Sequence, residues 1–168
     1  AAAVAVYRAV EQICGIQLDI KWVNDLFYHG KKVCGILTEA VTDFESGNIE
    51  FVVVGMGLNI YLEPEMMPEA LKDVAGALYQ SRKDAEKTDR NRLAAMIVNE
   101  LRKETRDLKL SQDYVEHNII PGHQITITDG TSSRKAFALE ICRDGRLKVR
   151  EEDGQETILS FGEVSVSV

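Results

Sequence analysis

Residues 21–40, KWVNDLFYHGKKVCGILTEA, place three lysines, an aspartate and a tight turn inside one apolar hairpin, and this constrains the fold more than any other stretch. Gly30 follows His29 at the centre, and glycine supplies the positive φ that a two-residue hairpin turn requires. Such a turn pairs Tyr28 with Lys31, Phe27 with Lys32 and Asp25 with Cys34. If the pairing runs without a bulge, Lys21, Asp25, Phe27 and Lys32 share one face of the sheet. Asp25 and Lys32 are then diagonal neighbours, roughly 7–8 Å apart at their backbones. A carboxylate and two ammonium groups on a rigid sheet can hold a polyanion and its metal ion. The same residues also make an ordinary ion pair on a solvated hairpin, and local spacing alone leans slightly to that reading.

A second stretch has a matching pattern. Ile49 to Ile60, IEFVVVGMGLNI, is a nearly unbroken apolar run whose length and valine content favour a buried strand. Val53, Gly55, Gly57 and Asn59 fall on one face, with Val54, Met56 and Leu58 on the other. Two glycines on one face leave bare backbone where a flat ligand can approach, or where a helix packs or a bulge forms. Asn59, at the end of the cleared stripe, offers both a donor and an acceptor.

The chain of 168 residues is enough for one compact domain, or for a main domain with a small appendage, and its 45% of hydrophobic residues can bury a sizeable core. A formal net charge of −7 argues against a general nucleic-acid-binding surface, which needs clustered Lys and Arg. Cys14, Cys34 and Cys142 are widely spaced without a metal-ligand pattern, as expected for reduced thiols in a cytosolic protein. No apolar run approaches the roughly 20 residues that a bilayer needs, and no signal peptide is visible. The expectation is a soluble cytoplasmic protein.

Residues 1–14 begin without Met in the middle of a helical pattern, with Val4, Tyr7, Val10, Ile13 and Cys14 on one stripe and no capping residue ahead of them. The pattern implies a chain that starts inside a helix and is a piece of something longer. Asp43 to Gly47 forms a turn. Residues 61–80 hold two of the three prolines and predict a loop with short helices, in which Met66 and Met67 are core filler or part of a loop that closes over a ligand. Asp89 caps a helix over residues 90–110, with Leu93, Ile97, Leu101 and Leu108 buried, and a short helix spans Gln112 to His117. Past Pro121-Gly122 the period becomes two. Strands at Gln124–Thr128, Ala136–Ile141, Leu147–Arg150 and Thr157–Val168, three of them set off by Asp129-Gly130, Asp144-Gly145 and Asp153-Gly154, predict a small antiparallel barrel that leans on the first domain.

Lys21-Trp22-Val23-Asn24-Asp25-Leu26, then Lys32-Val33-Cys34-Gly35-Ile36-Leu37-Thr38-Glu39, then Gly55-Met56-Gly57-Leu58-Asn59 resemble the biotin protein ligases, which carry a KWPNDL block, a KxxGIL-E block and a GxGxN block in this order. The Asp89–Met96 stretch and a terminal SH3-like barrel match as well. The resemblance implies an α+β fold: a mixed sheet with packed helices, biotin/lipoate ligase-like and truncated at its amino end, over residues 1–118, then an SH3-like barrel over residues 119–168. It implies an enzyme that activates biotin with ATP and Mg²⁺ to biotinyl-5′-AMP and passes the biotinyl group to a lysine of a carboxylase's biotin-carrier domain.

In that reading Lys32 and Asp25 are catalytic. Lys32, Gly35, Ile36, Leu37 and Gly55 bind biotin; Lys21, Asn24, Asp25, Lys32 and Asn59 bind ATP; and Asp25 is the candidate Mg²⁺ ligand. The resemblance has departures. The family's GRGRxGR loop would precede residue 1, Val23 stands where proline is usual, and Ser167 stands where many members have an arginine. No helix-turn-helix is visible in the chain, homodimerisation is left open, and the fragment alone is expected to be inactive. A lipoate–protein ligase shares this core, and a non-catalytic binding protein that retains the fold is the alternative from another class.

Overall fold

The computed structural model describes residues 1–43, 45–107, 109–129 and 132–166. Helix α1 (Ala2–Cys14) buries Val4, Tyr7 and Val10 of the expected stripe, with Ile13 and Cys14 half-buried at its end. Gly15 stops it in the left-handed region, φ 67°, and its N–H donates to the Glu11 carbonyl. No side chain caps its start.

Four antiparallel strands follow in spatial order: β1 (Asp19–Lys21), β2 (Asp25–Tyr28), β3 (Lys31–Thr42) and β4 (Ile49–Leu58). His29 and Gly30, with φ of 51° and 74°, make the predicted turn between β2 and β3. The stretch expected as one strand from Lys21 to Tyr28 is two, broken by a turn at Trp22-Val23-Asn24 that includes a cis peptide between Trp22 and Val23. The expected mixed sheet is antiparallel throughout, and parallel pairing is confined to isolated bridges at Ile20–Asn118 and Lys32–Ala75. Phe44, within the turn predicted at Asp43 to Gly47, lies outside the described residues.

The segment from Tyr61 to Gln80 makes short 3₁₀ turns at Pro64–Met66 and Glu69–Leu71. Met66 is 82% exposed there, so it is no core filler. After α2 (Arg82–Ala85), helix α3 (Arg90–Glu104) opens on Asp89, whose carboxylate accepts the Arg92 N–H at 3.0 Å. It ends short of the predicted residue 110, where Thr105 folds its hydroxyl back onto the Leu101 carbonyl at 2.9 Å. Leu108 of the expected stripe lies outside the described residues. Helix α4 (Gln112–Glu116) follows. Arg8 joins α1 to both, 2.6 Å from Glu104 and 2.6 Å from Asp113, beside the buried Glu100.

The carboxyl-terminal unit is a second antiparallel sheet: β5 (Gln124–Asp129), β6 (Ser132–Ile141), β7 (Leu147–Glu151), β8 (Glu156–Leu159) and β9 (Glu163–Val166), in spatial order β8-β7-β6-β5-β9. The last expected strand is two, because Ser160 to Gly162 turns the chain, with Gly162 at φ 123°. The turns at Asp144-Gly145 and Asp153-Gly154 are as predicted; each aspartate accepts the N–H two residues on. Gly130 and Ser167 lie outside the described residues. Among the described residues β8 and β9 do not pair, so the expected barrel does not close.

The two sheets share one apolar core in which Ile20, Trp22 and Leu26 cluster with Ile125, Ala138 and Leu147. Backbone bonds of Ile20 to His117 (2.8 Å) and of Ile119 to Ile20 (2.9 Å) lash the connection between the units to β1.

Candidate functional site

A single row of paired residues crosses the first sheet: Lys21 opposite Asp25, Asp25 opposite Gly35, and Gly35 opposite Gly57. Lys21 and Asp25 thus share a face through cross-strand pairing, rather than through alternation along one strand. The pairing of β2 with β3 has a bulge. Phe27 pairs with Lys32 and Leu26 with Cys34, so Asp25 meets Gly35 instead of the predicted Cys34. The extra residue, Val33, turns inward beside Cys34, and both are buried. Lys32 and Gly35 therefore come to the same open face as Asp25.

Gly35 is where Lys32 has to pass. A Cβ there would lie 3.1 Å from Lys32 Cε and 3.3 Å from Nζ. With that space free, the ammonium reaches Asp25 Oδ1 at 2.7 Å, with the two side chains 38% and 29% exposed. A partly solvated pair of this kind contributes about 0–1 kcal/mol to stability, so the fold gains little from it. Beyond the pair the floor is bare backbone. Nothing approaches a Cβ built on Gly55 or Gly57 closer than the carbonyls of Leu37 (3.8 Å) and Gly35 (3.9 Å). The stripe predicted for β4 holds, with Val54, Met56 and Leu58 against the core and Val53, Gly55 and Gly57 outward, but the strand is not the buried one expected, since Ile49, Phe51 and Val52 are exposed.

The remaining expected residues separate. Leu37, paired with Gly55, stands on the floor and is 64% exposed. Ile36 points to the other face and is core, 8% exposed, so it does not line the floor. Lys21 directs its ammonium over the Phe27 ring, 5.3 Å from the centroid. Asn24 holds the Ile36 N–H on its backbone carbonyl at 3.1 Å and lines a cleft of about 370 Å³ with Tyr114, Gly145 and Arg146. Asn59 sits just past β4, its side-chain Nδ2 donating to the Gly76 carbonyl at 3.0 Å.

Burial, then the negative charge of Asp25, pushes the Cys34 thiol up to about 11, so it is a neutral, inert core group behind the floor. Among the described residues no three His, Cys, Asp or Glu side chains gather to hold a metal. A Mg²⁺ ion on this face would find one protein carboxylate, Asp25, which already lies 2.7 Å from the Lys32 ammonium.

Residues 74–76, within the stretch expected as loop and short helices, make a contact that sequence reading missed. They run beside the start of β3, with the Lys32 N–H donating to the Val74 carbonyl and the Gly76 N–H to the Lys32 carbonyl, both at 2.8 Å. Its one local signal is Gly76 in Val-Ala-Gly-Ala-Leu, away from any turn composition. A Cβ on Gly76 would come within 2.7 Å of Lys31 Cβ. A cavity of about 320 Å³ under this segment is lined by Lys31, Met67, Lys72 and Tyr79, without Lys32 or Asp25; the Lys31 ammonium is already engaged by the Lys72 carbonyl at 2.6 Å.

A charged pair beside a glycine floor on an antiparallel sheet is a candidate site for an anionic ligand. Residues 1–59 match the biotin/lipoate A/B protein ligase family. The bifunctional ligase/repressor BirA of Bacillus subtilis is 39% identical over 120 residues, which are 71% of this chain and 34% of that protein. The biotin–[acetyl-CoA-carboxylase] ligase of Mycobacterium tuberculosis is 29% identical over 178 residues, covering 98% of this chain and 60% of that protein. The apo biotin protein ligase from Aquifex aeolicus shares the fold with a TM-score of 0.71 at 21% identity, covering 99% of this chain and 73% of that one. The same enzyme in complex with biotin and ATP gives 0.69 at 22%, with 99% and 69% covered. The amino-terminal third of the chain is thus similar to the biotin/lipoate A/B protein ligase family, and the whole chain resembles proteins named as biotin ligases. It spans about a third of the length of the first of these curated relatives.

Proposed function

We propose that the parent protein of this chain is a biotin protein ligase acting in the cytoplasm. Residues 1–118 would belong to its catalytic domain, and residues 119–168 would form an SH3-like module. The observation that carries the reading is Lys32, an ammonium laid across Gly35 beside a floor of bare backbone. In the reaction a biotin carboxylate oxygen attacks the α-phosphorus of ATP, the bond to pyrophosphate breaks, and pyrophosphate leaves with the electron pair. Both reactants are anions, so a fixed cation where charge accumulates on phosphorus lowers the barrier. Lys32 is that cation; Asp25 orients it and would be the residue to hold a nucleotide-bound Mg²⁺, which would supply neutralisation of phosphate charge. Gly35, Gly55 and Leu37 form the apolar floor for biotin, and Lys21, Asn24 and Asn59 lie on the nucleotide side. A lysine amine of a biotin-carrier domain then attacks the acyl carbonyl of biotinyl-5′-AMP and AMP departs.

The floor is open in this chain, with Leu37 64% exposed, and water competes for each charge contact on an open floor. Activity is therefore expected of the parent rather than of the 168 residues alone. The test is ATP-dependent labelling of a biotin-carrier domain by the parent, with lipoate and its own acceptor in parallel. Labelling with biotin alone supports the reading; transfer of lipoate, or of neither acid, overturns it.

A further inference from the structure

Lys32 is held at its backbone by two partners of different origin. On one side it pairs with Phe27 of β2. On the other, where β4 has already ended opposite Cys34, the sheet continues as a ledge of residues 74–76. The ledge belongs to an irregular segment, so its position depends on what ties it down. Asn59 is anchored to β3, its N–H donating to the Val33 carbonyl at 2.7 Å, and ties the segment down twice: its carbonyl accepts the Leu78 N–H at 3.0 Å, and its Nδ2 donates to the Gly76 carbonyl at 3.0 Å. Gly76 passes the restraint on, since its own N–H holds the Lys32 carbonyl at 2.8 Å.

We propose that Asn59 is a positioning residue for Lys32, acting through Gly76 and the ledge. With one amide hydrogen committed to Gly76, Asn59 can still offer its oxygen to a ligand, so the two roles are separable. Asn59→Asp separates them: it keeps the volume and an acceptor oxygen, deletes the donor, and sets a carboxylate against the Gly76 carbonyl. Gly76→Ala disturbs the ledge from its other side, against Lys31, without altering Asn59.

This role rests on the reading of Lys32 as the cation of adenylate formation, so the experiment in the parent has two readouts. Amide hydrogen exchange at Lys32 and Gly76 should quicken about three- to tenfold in both variants, the equivalent of one lost hydrogen bond. The kcat for biotin-dependent pyrophosphate release should fall in both, with KM for ATP unchanged in Gly76→Ala, which leaves the Asn59 side chain intact. Unchanged exchange in Asn59→Asp overturns the ledge role, as does an intact kcat in Gly76→Ala with quickened exchange. Quickened exchange in a parent that makes no biotinyl-5′-AMP removes the functional reading and leaves the ledge established.

Discussion

Gly35 and Lys32 form one device, in which the missing side chain of the first sets the path of the second. Removing the ammonium by Lys32→Ala should lower adenylate formation in the parent about 10²–10³-fold, the usual loss for one preorganised electrostatic contact. Gly35→Ala keeps the ammonium but puts a methyl 3.1 Å from Lys32 Cε, so the ammonium swings off Asp25. Misplacement on that scale costs up to about 10²-fold in rate. Neither change reaches the core, so melting temperatures should stay near the wild-type value; lost activity explained by unfolding alone would contradict the assignment. Cys34, one residue away but on the buried face, responds to pH instead. Below about 9 its thiol is neutral in both folded and unfolded chains; between 9.0 and about 11 the unfolded chain sheds the proton while burial keeps it on the folded one. Stability should therefore fall as pH rises through that window, by on the order of 2–3 kcal/mol from this group. Urea melts of wild type and Cys34→Val at about pH 8 and about pH 10.5 isolate the contribution. Equal losses in the two proteins would assign it elsewhere.

The elements divide into those whose cause is local and those whose cause is distant. His29-Gly30, the alternation of β4 and the Asp89 cap were all legible, because each depends on residues a few positions apart. The bulge in β3 left a faint trace, two adjacent inward residues, Val33-Cys34, between outward Lys32 and Gly35. An unbroken alternation was the simpler expectation, and it failed at Asp25. The break at Trp22-Val23-Asn24 has no turn composition of its own: Trp22 is 2% exposed, its indole N–H bonded to Gly145 at 2.9 Å, more than a hundred positions away. The ledge is equally non-local. The floor of β4 was legible as two glycines on one face, but whether they served packing or a ligand was not. A Cβ on Gly55 would meet only a carbonyl at 3.8 Å, so Gly55→Val overpacks nothing among the described residues. Its melting temperature should hold, against the loss of about 1–3 kcal/mol that overpacking brings, while biotin binding by the parent should fail in titration calorimetry. A lower melting point with normal biotin affinity would give the glycines to packing.

At the scale of the molecule, two sheets of different register share one core, and polar ties cross between them at the turn that leads into Asp25. The Trp22 indole N–H donates to the Gly145 carbonyl of the second sheet, and the Tyr114 hydroxyl donates to the Val23 carbonyl at 2.8 Å. The turn that introduces β2 is thus braced from both the helical layer and the carboxyl-terminal sheet, and the second unit is part of what shapes the site's approach. A common core and a common brace predict cooperative unfolding. Calorimetry of the chain should give a single transition whose calorimetric and van't Hoff enthalpies agree. Trp22→Phe keeps an aromatic ring in the core but deletes the indole N–H, leaving the Gly145 carbonyl without that partner. The loss should be about 1 kcal/mol for the hydrogen bond, with a further cost from the smaller ring. Because the brace joins the two units, exchange of amides in β7 and in β2 should quicken together in Trp22→Phe. Quickening confined to one sheet, or two separate transitions in the wild type, would show that the units fold independently and that the turn before Asp25 is held by the first sheet alone.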